Sequence, residues 1–208
     1  MDLRLTVDEA VARIALGAMV IVTDDEDRED EGDLTIAADH VTAEAIAFML
    51  NHGRGLVCMP CAGERLDKLD IGPMVPPGAA DHDTAFTVSI DARRGGSGIS
   101  AVDRASTVRA VLDAGASAAD FVRPGHVFPL RARDGGVLER PGHTEAAVEL
   151  ARLAGLAPVA VICEVLNVDG SCARRADLEC LARRFDLGLL AVRDLVEYQR
   201  ARLAVSTR

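Results

Sequence analysis

The sequence predicts a single α+β domain, a mixed β-sheet covered by helices. Three observations point there. Short apolar runs that read as buried strands recur along the chain, at residues 18–22 (AMVIV), 55–59 (GLVCM) and 159–166 (VAVICEVL). Helix-periodic segments lie between them, but the two kinds interleave irregularly rather than in strict βαβ order. No repeat, low-complexity tract or Pro/Ser-rich linker divides the 208 residues, so one domain over 1–208 is expected.

Residues 6–16 read as a helix: Thr6 can cap, Glu9 stands three positions on, and Val7, Val11, Ile14 and Ala15 share a face, with Gly17 ending it. The strand at 18–22 runs straight into an acidic segment, 24–33, and 34–37 returns as a strand. Residues 42–51 form a second capped helix with Glu44 near its start. The strand at 55–59 and an alternating one at 85–90 enclose 71–83, a Gly- and Pro-rich loop long enough to act as a flap. A glycine-rich turn, 95–100, enters a helix at 101–114. Leu130 falls near a strand end and 134–136 is a turn. A helix over 143–154 stops at Gly155, the strand 159–166 follows, and the tail reads helix, strand (188–192), helix (193–202).

Composition narrows the function. A formal charge of −10, no Trp and one Tyr disfavour nucleic-acid binding. No apolar run approaches the roughly 20 residues of a membrane span, and the N-terminus lacks the pattern of a signal peptide. A cytoplasmic protein with no membrane partner is the expectation. Five cysteines, an odd number, fit a reducing compartment. Cys58 and Cys61 have the spacing of half a zinc site, but no second pair matches, so structural zinc is not expected, and Cys61, Cys172 and Cys180 are read as buried small side chains.

Three features could carry chemistry. Eight of the ten positions from Asp24 to Asp33 are carboxylates, the exceptions being Arg28 and Gly32. Such a run is solvated, paired or bound to a hard cation such as magnesium, and its order is not that of an EF-hand. Two Pro-Gly-His steps, ending at His126 and His143, put imidazoles at glycine-bearing turns; Arg140 and Thr144 beside a helix start suit a phosphate. Glu164 interrupts an apolar strand, where it faces solvent, meets a cation or sits in a site with a raised pKa. Together they describe metal-assisted chemistry on a phosphorylated, oxygen-rich small molecule. No G-x-G-x-x-G or Walker sequence opens a helix, which removes the main support for dinucleotide and P-loop readings.

The blocks DDEDREDEGDL, HDTAFTVSID, SGISAVDRAST, RPGHVFPLRARDGGVLERPGHTEAAVELARLAGL and CEVLN occur in one order. In that order they resemble the 3,4-dihydroxy-2-butanone 4-phosphate synthase family, over residues 7–198. The resemblance implies a magnesium-dependent carbon–carbon lyase of riboflavin biosynthesis, with manganese as a substitute metal, that turns D-ribulose 5-phosphate into L-3,4-dihydroxy-2-butanone 4-phosphate and formate. It implies a three-layer α/β/α fold and a homodimer with its sites near the subunit interface. By position, Glu29 and His143 would bind the metal; Arg28, Glu29, Asp33, Arg140, Pro141, Gly142, His143, Thr144 and Glu164 would hold substrate; His126 and Glu164 would be catalytic. Three positions depart from the family pattern: Asp30 where Asn is usual, Asp83 where Gly is usual, and Gly96-Ser97 for a Thr-bearing pair. The GTP cyclohydrolase II domain often fused to the family is not expected here. The alternatives are a paralogue acting on another phosphorylated ketose, and a non-catalytic magnesium or sugar-phosphate binding protein.

Overall fold

The computed structural model describes residues 3–25, 28–76 and 84–206. Helix α1 (Val7–Ala15) starts at the predicted capping box: Thr6 Oγ1 accepts the Glu9 N–H at 3.3 Å and the Glu9 carboxylate accepts the Thr6 N–H at 2.8 Å. Strands β1 (Val20–Thr23) and β2 (Gly32–Ala37) pair antiparallel around the acidic segment. Then come α2 (Ala43–Phe48), β3 (Cys58–Cys61), α3 (Gly63–Lys68), β4 (Ile90–Ala92), α4 (Ala101–Leu112), β5 (Phe121–Arg131), α5 (His143–Leu153), β6 (Ala160–Glu164), α6 (Arg175–Phe185), β7 (Leu189–Ala191) and α7 (Val192–Ser206).

The seven strands form one sheet in the order β4-β5-β3-β6-β2-β1-β7. The pairs β3/β5 and β1/β7 are parallel and the other neighbours antiparallel, so the sheet is mixed as predicted. Strand alternation sends successive side chains to opposite faces. Ile21, Leu34, Met59, Val161 and Leu189 pack under α2, α3, α4 and α6, through residues such as Ile46, Leu66, Val108 and Leu178. Val20, Val22, Ala37 and Leu190 pack under α1, α5 and α7, and α5 also covers Cys58, Ala160 and Ile162. The result is three layers, helix–sheet–helix. Among the described residues, no helix is long and apolar enough to cross a membrane.

Several boundaries move for identifiable reasons. Strand β2 begins at Gly32, two residues before the expected start, so Asp33 belongs to the sheet rather than to the acidic loop. The second helix widens into a π-turn, Met49–Gly53, and stops at Arg54, whose φ of 72° is left-handed; β3 then starts at Cys58 instead of residue 55. The predicted strand 85–90 makes only isolated bridges before β4, because its N–H groups alternate between Pro129 O (Thr87, 3.0 Å) and Gly72 O (Val88, 3.0 Å), and Pro129 has no N–H to return. Helix α3 lacks a side-chain cap and so lacked a start signal. Strand β5 is far longer than a strand end at Leu130 suggested, and it corrects the reading of His126 as a turn residue: Pro124, Gly125 and Pro129, ordinarily turn signals, are all inside it. Cys58 and Cys61 lie in different core clusters, on opposite faces of the sheet, and cannot share a metal; Cys61 is buried as expected, but Cys172 is half-buried and Cys180, on α6, is exposed.

Candidate active site

The α5 face of the sheet carries a cleft of about 540 Å³ whose lining includes Arg28, Asp33, Arg140, His143, Thr144 and Glu164. Register builds its floor. Asp33 on β2 stands directly opposite Glu164 on β6. The Val165 N–H donates to Gly32 O at 2.9 Å one pair further on, which makes Asp33–Glu164 the narrow, non-hydrogen-bonded kind of pair, with side chains close together. Burial, and then the neighbouring carboxylate of Glu164, push Asp33 from 3.8 up to about 7, although the His143 charge opposes the rise. Burial also raises Glu164, with Glu31 adding to the effect; the Leu56 N–H, donating to Glu164 Oε2 at 2.8 Å, pulls the other way.

His143 opens α5 above this floor and is buried. Burial alone would lower its pKa, but the Asp33 carboxylate and the bond to Glu29 outweigh it and lift His143 to about 9. Glu29 is held at about 2, chiefly by its bond to His143 (Nδ1–Oε2 3.5 Å) and, against some desolvation, by Arg28. Arg28 donates to both Asp24 and Glu29 at 2.7 Å, while Asp24 also accepts the Glu29 and Glu31 N–H groups at 3.1 and 2.9 Å. Asp24 therefore shapes the acidic loop; within a run of eight carboxylates nothing in the sequence set it apart.

The donors present fit a hard divalent cation. Among the described residues, buried His143 Nε2 and Asp33 Oδ1 have no hydrogen-bond partner, and Asp24, Glu29 and His143 each offer a ligand atom within 4.8 Å of the others.

The other wall is basic. Arg140 is buried, donating to Glu145 Oε2 at 2.7 Å and to Thr84 Oγ1 at 2.8 Å; Glu145 Oε1 also accepts the Arg133 N–H at 3.0 Å. Gly142 provides no side-chain cap for α5. A Cβ there would collide with the Arg140 guanidinium and come within 3.2 Å of that of Arg28. Two guanidinium groups over an uncapped helix N-terminus make an anion cradle. Pro141 is exposed and does not line the cleft. Thr84 and Glu145 are the members that sequence reading missed. Glu145 could have been found, being five residues after Arg140 in the first turn of the helix.

His126 is the member the fold does not bring in. It shares the α5 face with Phe128 and Leu130 by alternation, but lies four residues, or about 13 Å of strand, from Leu130 at the cleft edge. Its ring is 42% exposed and bonded to Asp91. Asp30 adopts a left-handed φ of 52°, where Asn and Asp are the tolerated side chains, so an Asn-to-Asp exchange is conformationally mild. Gly96 and Ser97 form an exposed turn. Asp83 and the part of the expected flap from 77 to 83 lie outside the described residues.

Comparisons with known proteins agree on one family. A family model described as 3,4-dihydroxy-2-butanone 4-phosphate synthase matches residues 8–198. The 3,4-dihydroxy-2-butanone 4-phosphate synthase of Agrobacterium fabrum is 55% identical over 193 residues, covering 92% of this chain and 91% of that protein. The riboflavin biosynthesis protein RibBA of Nocardia farcinica is 52% identical over 94% of this chain but only 48% of its own length, so the chain spans about half of such relatives. A solved 3,4-dihydroxy-2-butanone 4-phosphate synthase in complex with two magnesium ions superposes with a TM-score of 0.87 at 42% identity, covering 95% of this chain and 97% of that one.

Proposed function

The chain belongs to the 3,4-dihydroxy-2-butanone 4-phosphate synthase family, and we propose that it is the magnesium-dependent lyase that converts D-ribulose 5-phosphate to L-3,4-dihydroxy-2-butanone 4-phosphate and formate for riboflavin biosynthesis. The observation that carries this reading is the cleft itself: two carboxyl groups forced together by strand register, facing a buried histidine and a basic helix N-terminus.

Each part has work suited to its chemistry. Arg28, Arg140 and the start of α5 at Gly142–Thr144 receive the substrate phosphate. Glu29 and His143 would hold magnesium, the cation taking the place of the proton that the metal-free site keeps on His143; when bound it would supply positive charge to developing negative charge on the substrate oxygens. Asp33, with a pKa near 7, and the raised Glu164 share a pocket in which one carboxyl can accept a proton while the other keeps one. The atoms of the two products sum to the substrate, so groups that take and return protons suffice and no oxidant is needed.

His126 stands outside the cleft of its own chain. The reading therefore includes a homodimer in which the partner's His126 reaches that cleft. Partly buried Phe86 and Phe128 on the same face, and exposed Leu56 and Ile99, supply apolar surface for such a contact.

The test is formate release from D-ribulose 5-phosphate by purified protein with magnesium, with manganese in its place, and with excess chelator. Metal-dependent formate is expected with the first two. A folded protein that releases none from this sugar, but does from another pentose or hexose phosphate, would replace the substrate assignment.

A further inference from the structure

We propose that Asp91 is a positioning residue for His126: it fixes the imidazole with its proton on Nδ1 and presents Nε2 as the atom that exchanges a proton. Asp91 Oδ1 accepts the His126 backbone N–H at 2.9 Å, and Oδ2 meets ring Nδ1 at 2.7 Å. One carboxylate thus grips both the main chain and the ring of the same residue, which sets the ring's orientation and tautomer together.

The sheet is deformed to make this contact. Between β4 and β5 the register jumps: Ile90 pairs with Val127, yet the next residue, Asp91, pairs with Val122. Residues 123–126 are bulged out of the ladder, and the Gly125 N–H is satisfied by Ser89 Oγ at 3.1 Å instead of by a strand neighbour. Bulges of this kind re-aim a side chain, and here the re-aimed residue is His126. The third wall is Gly98, at a left-handed φ of 89°. Any Cβ there would collide with the Asp91 carboxylate and come within 2.7 Å of His126 Nδ1, so only glycine lets the turn close over the pair. Asp91 itself is 6% exposed. A carboxylate buried for structure alone could be satisfied by backbone donors; this one is turned onto an imidazole whose far nitrogen has no hydrogen-bond partner among the described residues.

The catalytic half of this inference rests on the proposed lyase reaction; the tautomer half does not. The experiment is two-bond ¹⁵N–¹H correlation spectroscopy of histidine-labelled protein at a pH where the ring is neutral, with His126 assigned from its loss in H126Q. Wild type should show Nδ1 protonated and Nε2 bare. In D91N the amide still accepts the main-chain N–H but turns an NH₂ to Nδ1, so the proton should move to Nε2. The rate of formate release, kcat, should then fall by about 10²- to 10⁴-fold with little change in KM. A wild-type ring protonated on Nε2, an unchanged tautomer in D91N, or a kcat within about twofold of wild type would each overturn the proposal, twofold being far below what general acid–base catalysis contributes. If D91N does not fold, the wild-type spectrum alone decides the tautomer. If wild type releases no formate, the lyase reading fails while the spectra still decide what Asp91 does.

Discussion

Glu164 and His126 are the two residues that the family resemblance marks for catalysis, and the fold holds them in opposite ways. Glu164 sits near the middle of the sheet, on β6 between β3 and β2, pressed against Asp33 and roofed by α5. His126 sits toward one end, on β5 beside the edge strand β4, half exposed and gripped by a single carboxylate in a bulge. The central pair is fixed by register, which no local change can alter without turning a whole strand over. The edge pair is fixed by one side chain and one glycine. The central half therefore tunes proton affinity through burial, whereas the edge half tunes direction, through which nitrogen points outward.

Substitutions at the centre and at the edge of the sheet should act differently. The largest effect is expected from Glu164→Gln, which should slow formate release by about 10³-fold. Its Tm should hold, since the amide oxygen can still accept the Leu56 N–H and one like charge beside Asp33 is gone. Activity close to wild type would remove Glu164 from the chemistry. If the edge half serves another subunit, refolding inactive E164Q together with inactive H126Q should restore formate release; no restoration would put both residues to work within one chain.

Effects on stability come next. Arg140–Glu145 is a buried pair with side chains 7% and 1% exposed. Glu145→Ala should cost about 4 kcal/mol in urea unfolding, because it removes the carboxylate that a buried guanidinium donates to. Asp67→Ala, which breaks the exposed pair with Arg131, should leave the urea midpoint close to that of wild type, because water screens such a pair.

The central half also carries a pH dependence. Asp33 rises from 3.8 to about 7 on folding, so between those values the native state keeps a proton that the unfolded chain has released. Its contribution to stability is full below about pH 4 and is lost as pH rises through 7. In metal-free protein, the stability of wild type relative to D33N should therefore fall by about 4 kcal/mol from pH 4 to pH 8. A flat difference would mean that the carboxyl is not held protonated.

Much of this was legible from residues alone. Thr6 and Glu9 announced the first helix, the apolar runs announced the central strands, and the order of the acidic segment, the Pro-Gly-His steps and Glu164 named the family and most of the cleft. Where the reading slipped, a local signal was overridden by pairing. Pro124, Gly125 and Pro129 read as turns because proline and glycine ordinarily interrupt ladders, yet β5 accommodates them: Pro129 needs only its carbonyl, and 124 and 125 lie in the bulge. Thr84 and Asp91 carried no signal, since neither is unusual in its own neighbourhood.

Side-chain properties and short-range periodicity were enough to give the class of fold, the residue types suited to a metal and a phosphate, and the chemistry those types permit. It took the assembled sheet to set Asp33 opposite Glu164, to bring Thr84 onto Arg140, and to turn Asp91 onto His126 outside the cleft of its own chain. Those are contacts between strands and loops far apart in the chain, and register, burial and a bulge exist only once the sheet has formed.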